Sequence, residues 1–341
     1  MTTMQRKRLI IRAVLSGVLV LVAPRLAAAD GALQLRLGYQ GVPDKVLPMV
    51  AHRTDIAPHV GTSYEVSLLR FNASTDEIAA LATDEIQLAT FGYSSFGIAI
   101  ENAHMDDVRM VADMYRDGVA GYYSNEFMVR KDSPIQKIED LKGKVLGANG
   151  AGSVVDIAIR YVLKQRGLQA TRDYTLIEAA LPSLVPMLLD KKVDMATVGV
   201  AYKFMPRVQE EARVLFTERD ALGVTQFAFI GARQSFLARE RARLGDFFED
   251  LVRTTRCLTN PDHRDEAIRI VTDFTKQPPE MLAWYYATGN DDYRDPDSRP
   301  DATALQHNLD AMRELGFLKT HIDAAEHTDL SFVEEAARKL K

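Results

Sequence analysis

The chain predicts an α/β protein in two lobes of related build, each around a mainly parallel sheet. Three observations carry that reading. Strand-like and helix-like segments alternate along most of the chain, glycine- and serine-bearing turns follow the strand ends, and one strand–turn unit occurs twice.

The elements follow in order. Leu33 to Tyr39 alternates apolar with polar or small residues, a strand. Gly41-Val42-Pro43 breaks it, and Pro43 suits the first turn of a helix running toward Thr54. Tyr64 to Phe71, rich in Val, Leu and aromatics, is a second strand. Ser74-Thr75-Asp76-Glu77 has the spacing of a capping box, with Ser74 as cap, and opens a helix to about Thr83. Ile86 to Phe91 is the next strand, Gly92-Tyr93-Ser94-Ser95 starts another helix, and Val108 to Tyr115 is a fourth strand. After Tyr123 the units resume: strands at Phe127–Arg130, Val145–Ala148, Thr175–Glu178 and Met195–Val198, with helices at Ser153–Gln165 and Pro182–Asp190. Gly167, a residue tolerant of positive φ, ends the first of these helices. Beyond about Ala238 the chain reads as helix after helix, broken by Asn260-Pro261, Pro278-Pro279 and a polar loop from Asp291 to Asp301.

The repeated unit pairs Ile86-Gln87-Leu88-Ala89-Thr90-Phe91-Gly92-Tyr93 with Val193-Asp194-Met195-Ala196-Thr197-Val198-Gly199-Val200. Both hold an Ala-Thr-x-Gly core at matched offsets, each after a helix and a charged turn.

Residues 1–29 read as a cleavable secretory signal. Gln5-Arg6-Lys7-Arg8 is a basic region, Ala13 to Ala23 a short apolar one, and Ala27-Ala28-Ala29 a small-residue cleavage site. The uncharged run between Arg12 and Arg25 falls short of the roughly 20 apolar residues that span a membrane. Cleavage removes five of the 42 basic residues and no acidic one, leaving 37 against 47 acidic, a charge of −10. That balance lacks the clustered basic footprint of a nucleic-acid binder. The lone Cys257 permits no intrachain disulfide and sits in an apolar helical pattern, which argues a structural thiol.

Catalytic patterns fail. Gly92-Tyr93-Ser94-Ser95-Phe96-Gly97 has the wrong spacing for a nucleophile elbow. Gly147-Ala148-Asn149-Gly150-Ala151-Gly152-Ser153 lacks the Gly-Lys-Ser/Thr of a P-loop, and Val155 stands where a third dinucleotide-binding glycine belongs. The seven histidines show no metal-ligand spacing, and His52 and His59 read as solvated surface. No catalytic residue, metal or cofactor is expected. What remains are two turns, Gly92 to Ser95 and Asn149 to Ser153, that join small residues and hydroxyls to the free N–H groups of a helix N-terminus. Such ends bind anions without a charged side chain. Aromatics gather at the same strand ends: Tyr39, Phe91, Tyr93, Phe96, Tyr115, Tyr122, Tyr123, Tyr202 and Phe204. Arg116 and Lys203 are the candidate counter-charges.

The run Asp132-Ser133-Pro134-Ile135…Glu139-Asp140-Leu141-Lys142-Gly143-Lys144, continued by Gly150 to Ser153, Leu181-Pro182-Ser183 and Asp190 to Val193, resembles the periplasmic substrate-binding proteins of ABC transporters for sulfonates, taurine and nitrate. The same group includes thiamine-precursor binders. The resemblance covers nearly all of the chain after residue 29. It implies a two-lobed periplasmic binding protein type II fold with the ligand in the interlobe cleft, lobe 1 being residues 30–117 plus 225–341 and lobe 2 residues 118–224. By position it places ligand contacts at Gly41, Val42, Tyr93, Ser94, Ser95, Gly150, Ala151, Gly152, Ser153, Pro182, Ser183 and Tyr202. The implied partners are a small anionic ligand and an inner-membrane permease; the aromatic rim puts an aromatic carboxylate or sulfonate first and an alkylsulfonate, taurine or nitrate next. No nucleic acid and a monomeric state are expected. A secreted enzyme and a sensory binding protein are the other function classes. The sequence departs from the group in two ways: its one tryptophan, Trp284, falls in the helical tail, and Tyr122-Tyr123-Ser124-Asn125 is particular to this chain.

Overall fold

The computed structural model describes residues 31–40, 46–53, 55–71, 73–276, 278–283, 286 and 288–341. The expected signal segment, Gly41, Val42, Pro43 and Trp284 lie outside them. Strands β1 (Leu33–Gln40), β2 (Tyr64–Phe71), β3 (Leu88–Gly92) and β4 (Val108–Asp117) alternate with helices α1 (Val46–His52), α2 (Ser74–Ala82) and α3 (Tyr93–Asn102). The chain then makes β5 (Glu126–Arg130), β6 (Val145–Ala148), α4 (Val154–Gln165), β7 (Thr175–Glu178), α5 (Leu181–Leu189) and β8 (Met195–Val198). Short helices α6 (Val200–Lys203) and α7 (Pro206–Glu211) precede β9 (Ala212–Thr217), α8 (Glu218–Leu222) and β10 (Thr225–Arg233). The remainder is helical: α9 (Gln234–Arg239), α10 (Arg241–Leu258), α11 (Arg264–Thr275), α12 (Ala302–Glu314) and α13 (Ser331–Lys339).

Two five-stranded sheets result, ordered β2-β1-β3-β10-β4 and β7-β6-β8-β5-β9. The echoed strands β3 and β8 hold the same central place, and near-continuous apolar runs suit strands buried on both faces. Each sheet is mixed. β10 runs antiparallel to β3 and β4, and β5 antiparallel to β8 and β9, while the other pairings are parallel. The odd strand is in each case the one that enters after the chain has crossed from the other sheet, so it runs against its neighbours. Four of the five strands in each sheet run the same way, but half of the pairings are antiparallel, so the sheets are mixed rather than mainly parallel; β9 and β10 are strands absent from the sequence reading.

The crossing itself is tight. Gly118 and Gly223, on the two connecting segments, have φ of 83° and 72°. A Cβ on Gly118 would lie 2.1 Å from the Gly223 carbonyl oxygen. Only a residue without a side chain fits there. Beside it Asp117 and Glu218 are buried. Ser124 donates to Asp117, the Asn125 amide reaches its other oxygen at 2.8 Å, and Asn125 Nδ2 donates to Glu218 at 3.0 Å. The stretch Tyr122 to Asn125 thus supplies the partners of two buried carboxyl groups.

Outside the first sheet, α10 turns Leu244, Phe247, Phe248, Leu251 and Val252 inward at helical spacing. Phe248 packs on Phe332 of α13 at 4.9 Å. Each such aromatic contributes about 1.5–3 kcal/mol of burial. Cys257 lies partly buried against this cluster. His59 is not solvated surface: its Nδ1 is 2.9 Å from the buried Asp250, which also accepts from Tyr64 at 3.0 Å.

Candidate functional site

The carboxyl ends of β1, β3, β4, β6 and β8 converge on one cavity of about 370 Å³. Open α/β sheets bind ligands at that end. From the first sheet come Ser94 and Ser95 at the start of α3; from the second come Ser153 and Val154 at the start of α4 and Val200 at the start of α6. The two glycine–serine turns face each other. A Cβ on Gly92 would sit 3.1 Å from Val154 Cγ1, and the Tyr93 hydroxyl donates to the Val154 carbonyl at 2.8 Å. Ser153 caps α4, its hydroxyl oxygen accepting from the Asp156 amide at 3.3 Å while it donates to Asn149 at 2.7 Å. Two helix N-termini therefore aim at a shared space, each with a positive dipole end.

Several expected contacts lie elsewhere. Tyr93 is fully buried and serves the Val154 bond. Gly150, Ala151 and Gly152 shape the α4 turn behind Ser153, where the Gly152 amide donates to Asp156 at 2.8 Å. Pro182 and Ser183 are exposed at the start of α5, and Tyr202 packs on the second sheet's α5 cluster; none of these borders the cavity. Gly41 and Val42 fall outside the described residues. The aromatic rim shrinks as well. Phe96 joins Phe91 and Phe229 in the core, and Tyr123 turns inward to donate to Val198. Phe91 and Tyr115 do line the cavity, joined by Phe227 and Tyr286; Tyr115 and Phe227 stack at 4.9 Å.

The two candidate counter-charges, Arg116 and Lys203, are both paired with acidic side chains, and neither lines the cavity. Arg116 is engaged by Asp113, Asp295 and Asp301, and Lys203 by Glu126. Arg294 lines the cavity instead, donating to the Met114 carbonyl with its guanidinium 5.7 Å from the Tyr115 ring centre. Asp292 is its neighbour in the wall. Both come from a polar loop some 180 residues from Tyr115, so only the tertiary fold brings them in.

A polar patch completes the first-sheet side. Gln40, Ser74 and Thr90 line the cavity, with Glu77 buried behind them. Gln40 Nε2 donates to Glu77 at 2.6 Å, the Thr90 amide donates to Glu77 at 3.0 Å, and Ser74 donates to Gln40 Oε1 at 3.0 Å. The expected capping box does not form. α2 is capped by Ala73 without a side-chain bond, because Ser74 and Glu77 both turn to Gln40. Burial pushes the Glu77 carboxyl up to about 7, against the pull of Gln40 and Thr90.

Among the described residues no group of three His, Cys, Asp or Glu side chains is placed to hold a metal ion, and no helix is long and apolar enough to cross a membrane. Residues 28–272 match the NMT1-like family. The chain belongs to the NMT1-like family. No curated protein matches it by sequence. Among solved structures it is similar to the periplasmic aliphatic sulphonate binding protein SsuA from Escherichia coli, at 19% identity over 86% of this chain and 91% of that one, TM-score 0.68. It is similar to the periplasmic nitrate-binding protein NrtA from Synechocystis PCC 6803, at 13% identity over 91% and 89%, TM-score 0.69. It also resembles the desulfurization enzyme DszB, at 13% identity over 91% and 100%, TM-score 0.66. This NMT1-like protein has the two-lobed fold of the periplasmic binding proteins.

Proposed function

We propose that this NMT1-like protein is the extracytoplasmic solute-binding component of an ABC importer, capturing a small organic anion in the cleft and presenting it to a permease. One observation carries the reading: two serine-bearing helix N-termini from opposite sheets face a single cavity. SsuA and NrtA, which share the fold, bind anions in the periplasm. On this reading residues 1–29 direct export, and the lobes are residues 30–117 plus 225–341 and residues 118–224. They hinge where Gly118 crosses Gly223 and close on the ligand. Ser94, Ser95 and Ser153 take the acid group, with Arg294 as counter-charge. The stacked Tyr115–Phe227 pair favours a flat apolar body, hence an aromatic carboxylate or sulfonate ahead of an alkylsulfonate.

The test is a thermal-shift panel of aromatic acids, sulfonates, taurine, nitrate and pyrimidines, followed by calorimetry. A ligand bound at 100 times its Kd adds about 2.7 kcal/mol to folding stability, a rise of several degrees. No shift with any anion removes the proposal.

The likeness to DszB raises an enzymatic reading, and a cysteine-to-serine variant of DszB is known bound to biphenyl-2-sulfinic acid. Here the single cysteine lies in α10 and no histidine borders the cavity among the described residues. The Ser95 hydroxyl donates to the Gly92 carbonyl instead of to a base. Chromatography of incubated ligands decides: unchanged ligand supports binding alone, and product formation overturns it.

A further inference from the structure

The polar wall opposite the serine turns has a hydrogen-bond polarity that follows from its buried member. Glu77 is 1% exposed on α2 and packs against β1 at Gly38, where a Cβ would lie 3.0 Å from the Glu77 carboxyl oxygen Oε1. Its ionised carboxylate only accepts hydrogen bonds. It therefore fixes the Gln40 amide with Nε2 toward Glu77 at 2.6 Å and Oε1 away from it. Oε1 in turn takes the Ser74 hydroxyl hydrogen at 3.0 Å, and the Thr90 backbone amide donates to Glu77 at 3.0 Å. The Ser74 hydroxyl hydrogen is thus held inside this wall. The Ser74 oxygen keeps its lone pairs for the cavity it lines.

Resting on the binding reading above, we infer that Glu77 is a positioning residue that, through Gln40, makes Ser74 a hydrogen-bond acceptor toward the cavity, so the cleft selects an acid that also carries a hydroxyl or amino donor. Protonation of Glu77 reverses the relay. The new O–H donates to Gln40 Oε1, the amide turns its N–H groups toward Ser74, and the Ser74 hydrogen is released to the cavity. The charged side chains on the strands packed against α2 are Arg36 of β1 and Glu65 and Arg70 of β2. All three are exposed and none is among the influences on Glu77, nor is Asp76 beside it. The relay is therefore governed by Glu77 itself.

The test measures Kd for matched acids differing in one donor: 4-hydroxybenzoate and 4-aminobenzoate against 4-methoxybenzoate, and isethionate and taurine against ethanesulfonate. Wild type is expected to favour the donor-bearing member at least tenfold at pH 8, with the ratio shrinking toward pH 6. In Glu77→Gln the ratio falls below about threefold and no longer depends on pH. Ser74→Ala, at the partly exposed start of α2, lowers the ratio likewise and covers the case in which Glu77→Gln fails to fold. Equal affinities within each pair in wild type, or a ratio untouched by both variants, overturn the inference and leave anion binding intact. Binding of none of the acids overturns the binding reading, and this inference with it.

Discussion

The Tyr93 hydroxyl donates to the Val154 carbonyl across 2.8 Å, joining the first turn of α3 in one lobe to the first turn of α4 in the other. Helix α4 is held at its far end too, where Lys164 Nζ lies 3.3 Å from Glu314 of α12. Tyr93→Phe keeps the buried ring and removes only the bond. The expected cost is about 1 kcal/mol, the net worth of a buried hydrogen bond. Urea denaturation reads it, and an unchanged midpoint means that the bond contributes nothing.

Gly118→Ala places a methyl group against the Gly223 carbonyl, whereas Gly121→Ala, at a similar φ of 86°, meets nothing within 4 Å. The second variant carries only left-handed backbone strain, roughly 1–2 kcal/mol. Gly118→Ala adds a backbone clash and is expected to lose clearly more, and to change the scattering profile as the crossing segments part. Equal melting temperatures for the two variants refute the tight crossing.

Burial raises Asp117 to about 6, with the Asp292 charge adding to the rise and Ser124 and Asn125 opposing it. An unfolded Asp releases its proton near 4. The native state therefore binds more protons between those values. Its stabilising contribution is complete below about pH 4 and is lost as pH rises through about 6. Wild type should gain stability relative to Asp117→Asn on going from pH 8 to pH 5. Paired urea titrations at the two pH values measure the gap; a constant gap contradicts the assignment.

His59→Ala leaves buried Asp250 with the Tyr64 hydroxyl but without the His59 ring. The half-made site costs about 2 kcal/mol. His59 is absent from the cleft lining, so ligand affinity should not move. A drop in affinity at unchanged stability would run against this placement.

Arg294→Met is expected to weaken binding of benzoate or benzenesulfonate at least tenfold, while Lys203→Met leaves it unaltered because Lys203 pairs with Glu126 outside the cavity. Calorimetry on the two variants distinguishes Arg294, proposed as counter-charge because it lines the cavity, from Lys203, a candidate read from the sequence.

Local chemistry explains what could be read in advance. The strands Tyr64–Phe71, Val145–Ala148, Thr175–Glu178 and Met195–Val198 announce themselves by composition and flanking turns, and the structure places them at those bounds. Ser94, Ser95 and Ser153 reach the cavity because a strand end followed by a helix start fixes where a short side chain lies. The misses are non-local. β10 has no local signature that fixes its place, because it lies between β3 and β4, partners more than 100 residues away. Arg294 belongs to an acidic loop whose route past Met114 no pattern encodes. Ser74 and Glu77 have the spacing of a cap, yet Gln40, from a different element, claims both.

The position of β10 has a consequence for the order of assembly. The second sheet is made entirely from residues 126–217, a contiguous stretch, whereas the first has a gap between β3 and β4 that only residues 225–233 fill. A chain emerging from its N-terminus cannot zip up its leading sheet until the inserted one has been made. Until then, the facing rims of β3 and β4 lack their shared neighbour, and their backbone groups stay open to pairing with the wrong strand.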